Sequence, residues 1–166
     1  MKINNAIAWI FTALMTLVMF SALSAEANDH AVYAQLSSSE NQYGNAIVLM
    51  DQVDAIQGME YSQEVGLTVQ TPGVYLIIAA PQVSTGKGCY DLWLNVNGEQ
   101  VANSNVRYCS QVPKQTDVII SQGAACFMEG DIINPVQSGI GIEAIQPPNE
   151  PLIPSIIFTA YRIGSC

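Results

Sequence analysis

Tyr90-Asp91-Leu92-Trp93-Leu94-Asn95-Val96-Asn97-Gly98-Glu99-Gln100-Val101 is the stretch that decides the class of fold. Apolar and polar residues alternate on both sides of Asn97-Gly98, with the period of two that a strand lying on a core requires. Asn and Gly both tolerate positive φ. The pair therefore specifies a two-residue type I′ hairpin. Such a turn sets Val96 opposite Glu99, and an unbroken ladder then sets Cys89 opposite Val106. Cys109 is three positions further along. A bulge or a longer turn between Asn103 and Cys109 would bring it level with Cys89.

Outward from this hairpin, short β-branched runs recur between Gly, Pro and Asn clusters, and no helical period persists after residue 27. The expected strands are 31–36, 46–50, 67–69, 73–83, 90–96, 99–106, 117–122, 124–128, 131–135, 140–145 and 156–163. Met50-Asp51-Gln52-Val53-Asp54 reads as a strand end running into a loop. Thr71-Pro72-Gly73 has the order of a type II turn, and Glu129-Gly130-Asp131 is a glycine-assisted reversal. This spacing predicts an all-β sandwich or barrel. Pro147-Pro148-Asn149-Glu150-Pro151 is a stiff loop within one domain.

The first residues set the compartment. Lys2 precedes an uncharged apolar run from Ala6 to Leu23, followed by Ser24-Ala25-Glu26-Ala27. These are the parts of a secretory signal, with cleavage expected after Ala27 and Ala25 as the alternative. The run is near the lower length of a membrane span. The small-residue cleavage site and the lack of positive charge after the run favour removal over anchoring. The expected organisation is a signal peptide over 1–27 and one domain over 28–166. The product would be extracellular or periplasmic, with no membrane insertion after processing.

The chain of 166 residues has a net charge of −9. Its domain holds four basic residues, Lys87, Arg107, Lys114 and Arg162. That excludes a phosphate-binding stripe, so no nucleic-acid partner is expected. The even set Cys89, Cys109, Cys126 and Cys166 predicts disulfides in an exported chain. Cys89–Cys109 is the preferred pair because both lie near the open end of the hairpin. Cys126 and Cys166 remain for each other, for another subunit or as free thiols. Zinc competes poorly, because there is no CxxC and the single histidine is His30.

Taken in order, Pro72-Gly73-Val74-Tyr75, Leu92-Trp93-Leu94 with Asn97-Gly98, Gly130-Asp131, and Pro154-Ser155-Ile156-Ile157-Phe158 resemble the complement C1q globular-head and tumour-necrosis-factor-like jelly roll. The likeness spans about residues 31–164 and is greatest to secreted bacterial members. It implies a sandwich of about ten antiparallel strands assembled as a homotrimer, with a central apolar final strand matched by Ile156, Ile157, Phe158, Ala160, Tyr161 and Ile163. Family members often follow a stalk that drives assembly. Here few residues separate the cleavage site from the first strand, so the domain itself would have to trimerise.

Chemistry-bearing residues are sparse. No GxSxG, P-loop or HExxH pattern occurs. Asp51 and Asp54 form the one carboxylate pair worth weighing for glycosidase chemistry, and no catalytic residue or cofactor is assigned. Asp51, Asp54, Asp91, Asp131 and Glu143 are oxygen donors of the kind calcium takes, without a grouping spacing. Trp93, Tyr43, Tyr61 and Tyr108 are aromatic groups that can stack on sugars or anchor an interface. Trp93 is expected in the core or at a subunit contact. Tyr90 and Tyr108, beside the cysteines, are the candidates for an exposed binding surface. The expected function is non-enzymatic, multivalent recognition of a protein or glycan. A surface-coat or fimbria-like subunit and a carbohydrate-active enzyme are the alternatives.

Overall fold

Apolar runs of two kinds build the protein. Gly73–Val83 and Ile156–Gly164 are apolar at nearly every position, whereas Gly88–Val96 alternates. The first kind suits a strand covered on both faces, and the second a strand with one wet face. A computed structural model describes residues 31–84, 86–111 and 116–166. The expected signal segment, His30 and Lys114 lie outside the described residues.

Among the described residues the chain is all-β. The strands are β1 (Tyr33–Ser38), β2 (Ala46–Ile47), β3 (Gln52–Gln57), β4 (Met59–Ser62), β5 (Gly66–Val69) and β6 (Gly73–Val83). They continue as β7 (Gly88–Val96), β8 (Glu99–Gln100), β9 (Val106–Ser110), β10 (Asp117–Val118), β11 (Ser121–Phe127), β12 (Ile132–Gly139) and β13 (Ile156–Gly164). One sheet has the order β10-β6-β13-β1-β3, with β11 also on β6. The other has the order β4-β5-β12-β7-β8, with β2 on β12 and β9 on β7. All pairings are antiparallel. The two sheets make a jelly-roll sandwich of the C1q and tumour-necrosis-factor kind. The core lies between them, with Leu36, Tyr75, Ile77, Phe158 and Ala160 from one sheet meeting Leu67, Tyr90, Leu92, Leu94 and Ile133 from the other.

The hairpin forms as its turn dictates. Asn97 and Gly98 have φ of 52° and 87°, and Val96 pairs with Glu99. The ladder does not run on unbroken. β8 stops after two residues, and Asn103 takes φ 61°. The irregular stretch 101–105 adds three residues, so Leu92 meets Val106 and Cys89 meets Cys109. Cys89 is bonded to Cys109, and Cys126 to Cys166. The bonds close loops of 20 and 40 residues. Restricting the unfolded chain in this way is worth about 3 and 4 kcal/mol.

Five details depart from the sequence reading. Residues 50–54 do not run into a loop: β3 pairs with β1, and at Gly58, φ 68°, the chain crosses to β4 in the other sheet. β3 carried no signal because it is an edge strand exposed at nearly all positions. The predicted strand 99–106 is broken by the irregular stretch just described. The predicted strands 117–122 and 124–128 are divided differently, because Gly123 continues inside β11. Residues 140–145 make isolated bridges only, since Gly139 and Gly141 take φ of 101° and 88°. Finally, Gly73 has no positive φ and belongs to β6, so no type II turn forms. A Cβ there would lie 2.6 Å from the Gly164 carbonyl, and that close approach is why glycine stands there.

Tyr90 is a further correction. It shares its strand side with Leu92 and Leu94, and all three are fully buried. Burial pushes its phenol well above the ordinary tyrosine range. Its hydroxyl has no hydrogen-bond partner among the described residues. Removing an orphaned hydroxyl while keeping the ring relieves a desolvation cost. Tyr90→Phe is therefore expected to leave the urea midpoint unchanged or to raise stability by up to about 1 kcal/mol. A loss of that size instead would reveal a partner for the hydroxyl.

Candidate interaction surface

The two sheets expose opposite kinds of outer face. On the β7 sheet, Asp91 faces Arg107 across the ladder. The guanidinium donates from Nε to Oδ1 at 2.7 Å and from a terminal nitrogen to Oδ2 at 2.9 Å. This bidentate contact holds the Asp91 carboxyl below its usual range. Ser138 adds a donor at 3.4 Å. Trp93 lies on the same outer side, half-buried and opposite Val136, because Leu92 and Leu94 take the core side. Of the two positions expected for Trp93, the core is thus excluded, and the subunit contact is the one the outer side is compatible with. Stability from the Asp91–Arg107 pair follows from the sign of the shift. The folded carboxyl is depressed, so the contribution is full above the unfolded value of about 3.9 and fades as pH falls through the folded value. Arg107→Gln should therefore lower the thermal midpoint at pH 7, with the difference from wild type vanishing in the acid limb.

Across β1, β6, β11 and β13 the β6 sheet has no such charges on its outer face; Asp54 of the edge strand β3 lies beside it and accepts from the outward Ser37. Register places Tyr33, Tyr161, Leu76 and Ala124 in one row across β1, β13, β6 and β11. A second row is Gln35, Thr159, Ile78 and Gln122, and a third is Ser37, Ile157 and Ala80. Every outward position of these four strands is apolar or neutral. Ile157 and Tyr161 are 42% and 46% exposed. A wet antiparallel face normally carries polar side chains. The apolar row Tyr33–Tyr161–Leu76–Ala124, with Ile78, Ile157 and Ala80 among the neutral polar groups beside it, is the kind of exposed patch that marks a site of association. The signal for it in the sequence was the loss of alternation in β6 and β13.

The remaining candidates are not brought together. Tyr108 is half-buried and donates to the Asp117 carboxylate. That hydrogen bond raises its phenol above the ordinary range, and the ring packs against the core. It is thus tethered inward and is not an exposed binding group. Asp51 accepts from the Ser39 amide at 3.0 Å, and Asp54 from the Ser37 hydroxyl at 3.1 Å. The two carboxylates are held by different serines. Asp131 accepts from Asn97 at 2.8 Å. Glu143 accepts from Tyr43 and from Ser84, each at 2.8 Å. Tyr61 donates to the Met50 carbonyl at 2.8 Å. Among the described residues no three acidic, histidine or cysteine side chains gather in a group able to hold a metal.

Comparison with known proteins agrees with this architecture. No family model matches the chain, and no curated protein matches it by sequence. Solved structures do match. Murine APRIL at pH 8.0 superposes with a TM-score of 0.61 at 12% identity, covering 81% of this chain and 100% of that one. The globular domain of zebrafish complement 1qA protein gives 0.58 at 13% identity, covering 82% and 100%. At such identity the likeness is one of fold: this chain has the jelly roll of the C1q and tumour-necrosis-factor domains.

Proposed function

We propose that the chain is a secreted, non-enzymatic interaction module, similar to bacterial members of this superfamily, that assembles as a homotrimer through the outer face of the β6 sheet. The uncharged outer face of β1, β6, β11 and β13, with its apolar row Tyr33–Tyr161–Leu76–Ala124, is the observation that carries the reading. Burying it against other copies removes Ile157, Leu76 and Tyr161 from water. It leaves the charges that make up the net −9 on the outside. Association of this kind gains from apolar burial and is not weakened by salt. Three copies then present three identical outer surfaces, so weak contacts with linked protein or glycan ligands add by avidity. Both disulfides suit an oxidising compartment, with release by cleavage after Ala27.

Light scattering on the oxidised, processed protein tests the assembly. Three chain masses, unchanged in raised salt, are expected, and a single chain mass would sink the proposal. Amino-terminal sequencing of the exported protein should read from Asn28.

A further inference from the structure

The β6-sheet face leaves another feature without a role. A groove of about 510 Å³ opens where the two sheets separate, between β8 and β11. Each of these strands pairs with a single neighbour among the described residues, β8 with β7 and β11 with β6. Backbone donors and acceptors of two strand edges therefore border one cleft. Val96, Val101, Ala125 and Phe127 give it apolar walls. Glu99 and Asp131 also line it, and Glu129 sits in the adjoining turn. No Lys or Arg occurs in residues 96–102 or 121–134.

The groove is also held open by rigid supports. Asn97 donates to Asp131 at 2.8 Å and accepts from the Ile132 amide at 2.9 Å, which locks the hairpin tip to the β12 turn. On the other side Cys126 is fixed by its bond to Cys166. A site that is formed before its ligand arrives loses less entropy on binding.

We infer that this groove receives an extended, basic segment of a partner polypeptide, laid along the free edge of β11. Strand edges supply main-chain hydrogen bonds to an extended chain. The apolar walls take alternate side chains, and the acidic rim selects lysine or arginine for those between. β11 offers seven residues, about 23 Å of strand. This site adjoins the outer face of the β6 sheet through β11 but does not depend on trimer formation.

The test uses the purified, oxidised protein and two fluorescein-labelled hexapeptides, one alternating valine with lysine and one alternating valine with glutamate. Anisotropy should show binding of the lysine peptide alone, weakened by salt. Amide shifts should map to residues 96–102 and 121–127. Glu99→Lys should weaken binding by about tenfold. Ala102→Trp, at an exposed position on the groove wall, should abolish it with the thermal midpoint kept. Equal binding of the two peptides, shifts elsewhere, or full binding by Ala102→Trp would overturn the inference. So would a fall in oligomer mass on Ala102→Trp, which would mean that a second copy fills the groove.

Discussion

Tyr161→Glu is expected to turn the proposed homotrimer into folded single chains. Tyr161 sits in the row Tyr33–Tyr161–Leu76–Ala124 at the middle of the β6-sheet face. A carboxylate brought there would be desolvated in the oligomer. The outward positions of β1, β6, β11 and β13 offer no cation to pair with it. A buried charge without a partner costs roughly 3–5 kcal/mol, and a symmetric assembly would pay that at every copy. In the single chain the same position faces water, at 46% exposure. There the change costs no more than a strand-propensity difference of about 1 kcal/mol. Light scattering should give one chain mass for the variant while circular dichroism keeps the β signal. Tyr161→Phe, which retains the apolar ring, should keep the oligomer. An unchanged mass for Tyr161→Glu would show that copies meet elsewhere or not at all.

The readable parts of the fold were those where local chemistry and tertiary demand agree. Asn97-Gly98 specifies its own turn, and Leu92 with Leu94 specifies a side. β3 was not readable because an exposed edge strand has no buried side to imprint a period. The three-residue shift at 101–105 was open in the sequence, since a bulge there depends on how the segment packs. Its Val101 and Ser104 side chains lie over Gly123 of the opposite sheet, a contact made only in the folded state. Tyr90 was misread although its signal was present: it has the parity of Leu92 and must take the core side. Proximity to the exposed cysteines pointed the wrong way, because adjacent residues on a strand face opposite directions. The apolar face was half legible. The continuous run of β13 announces two buried sides, and nothing in one chain says what covers the second.

Those two sides make β13 a strand on which neighbouring substitutions should fail in different ways. Phe158 lies three positions from Tyr161, and its side chain is 1% exposed within the sandwich. Its ladder partners are Leu36 on one side and Ala79 on the other. Ala79 is too small to fill the space a lost ring would leave, and Leu36 is fixed among buried neighbours. Phe158→Ala should therefore cost about 3–5 kcal/mol, the transfer term of the ring plus the cavity left behind. Domains of this size hold roughly 5–15 kcal/mol in total, so the variant should unfold at markedly lower urea. The disulfides resist that loss only by limiting the unfolded chain. Reducing agent should therefore lower the midpoint further. Because the proposed assembly would link to folding, the wild-type midpoint should rise with protein concentration. In Tyr161→Glu that dependence should vanish, while in Phe158→Ala it should persist at lower urea. A Phe158→Ala midpoint within about 1 kcal/mol of wild type would mean that the core refills the cavity, and the inner side of β13 would then not be the rigid support for its outer side that the packing describes.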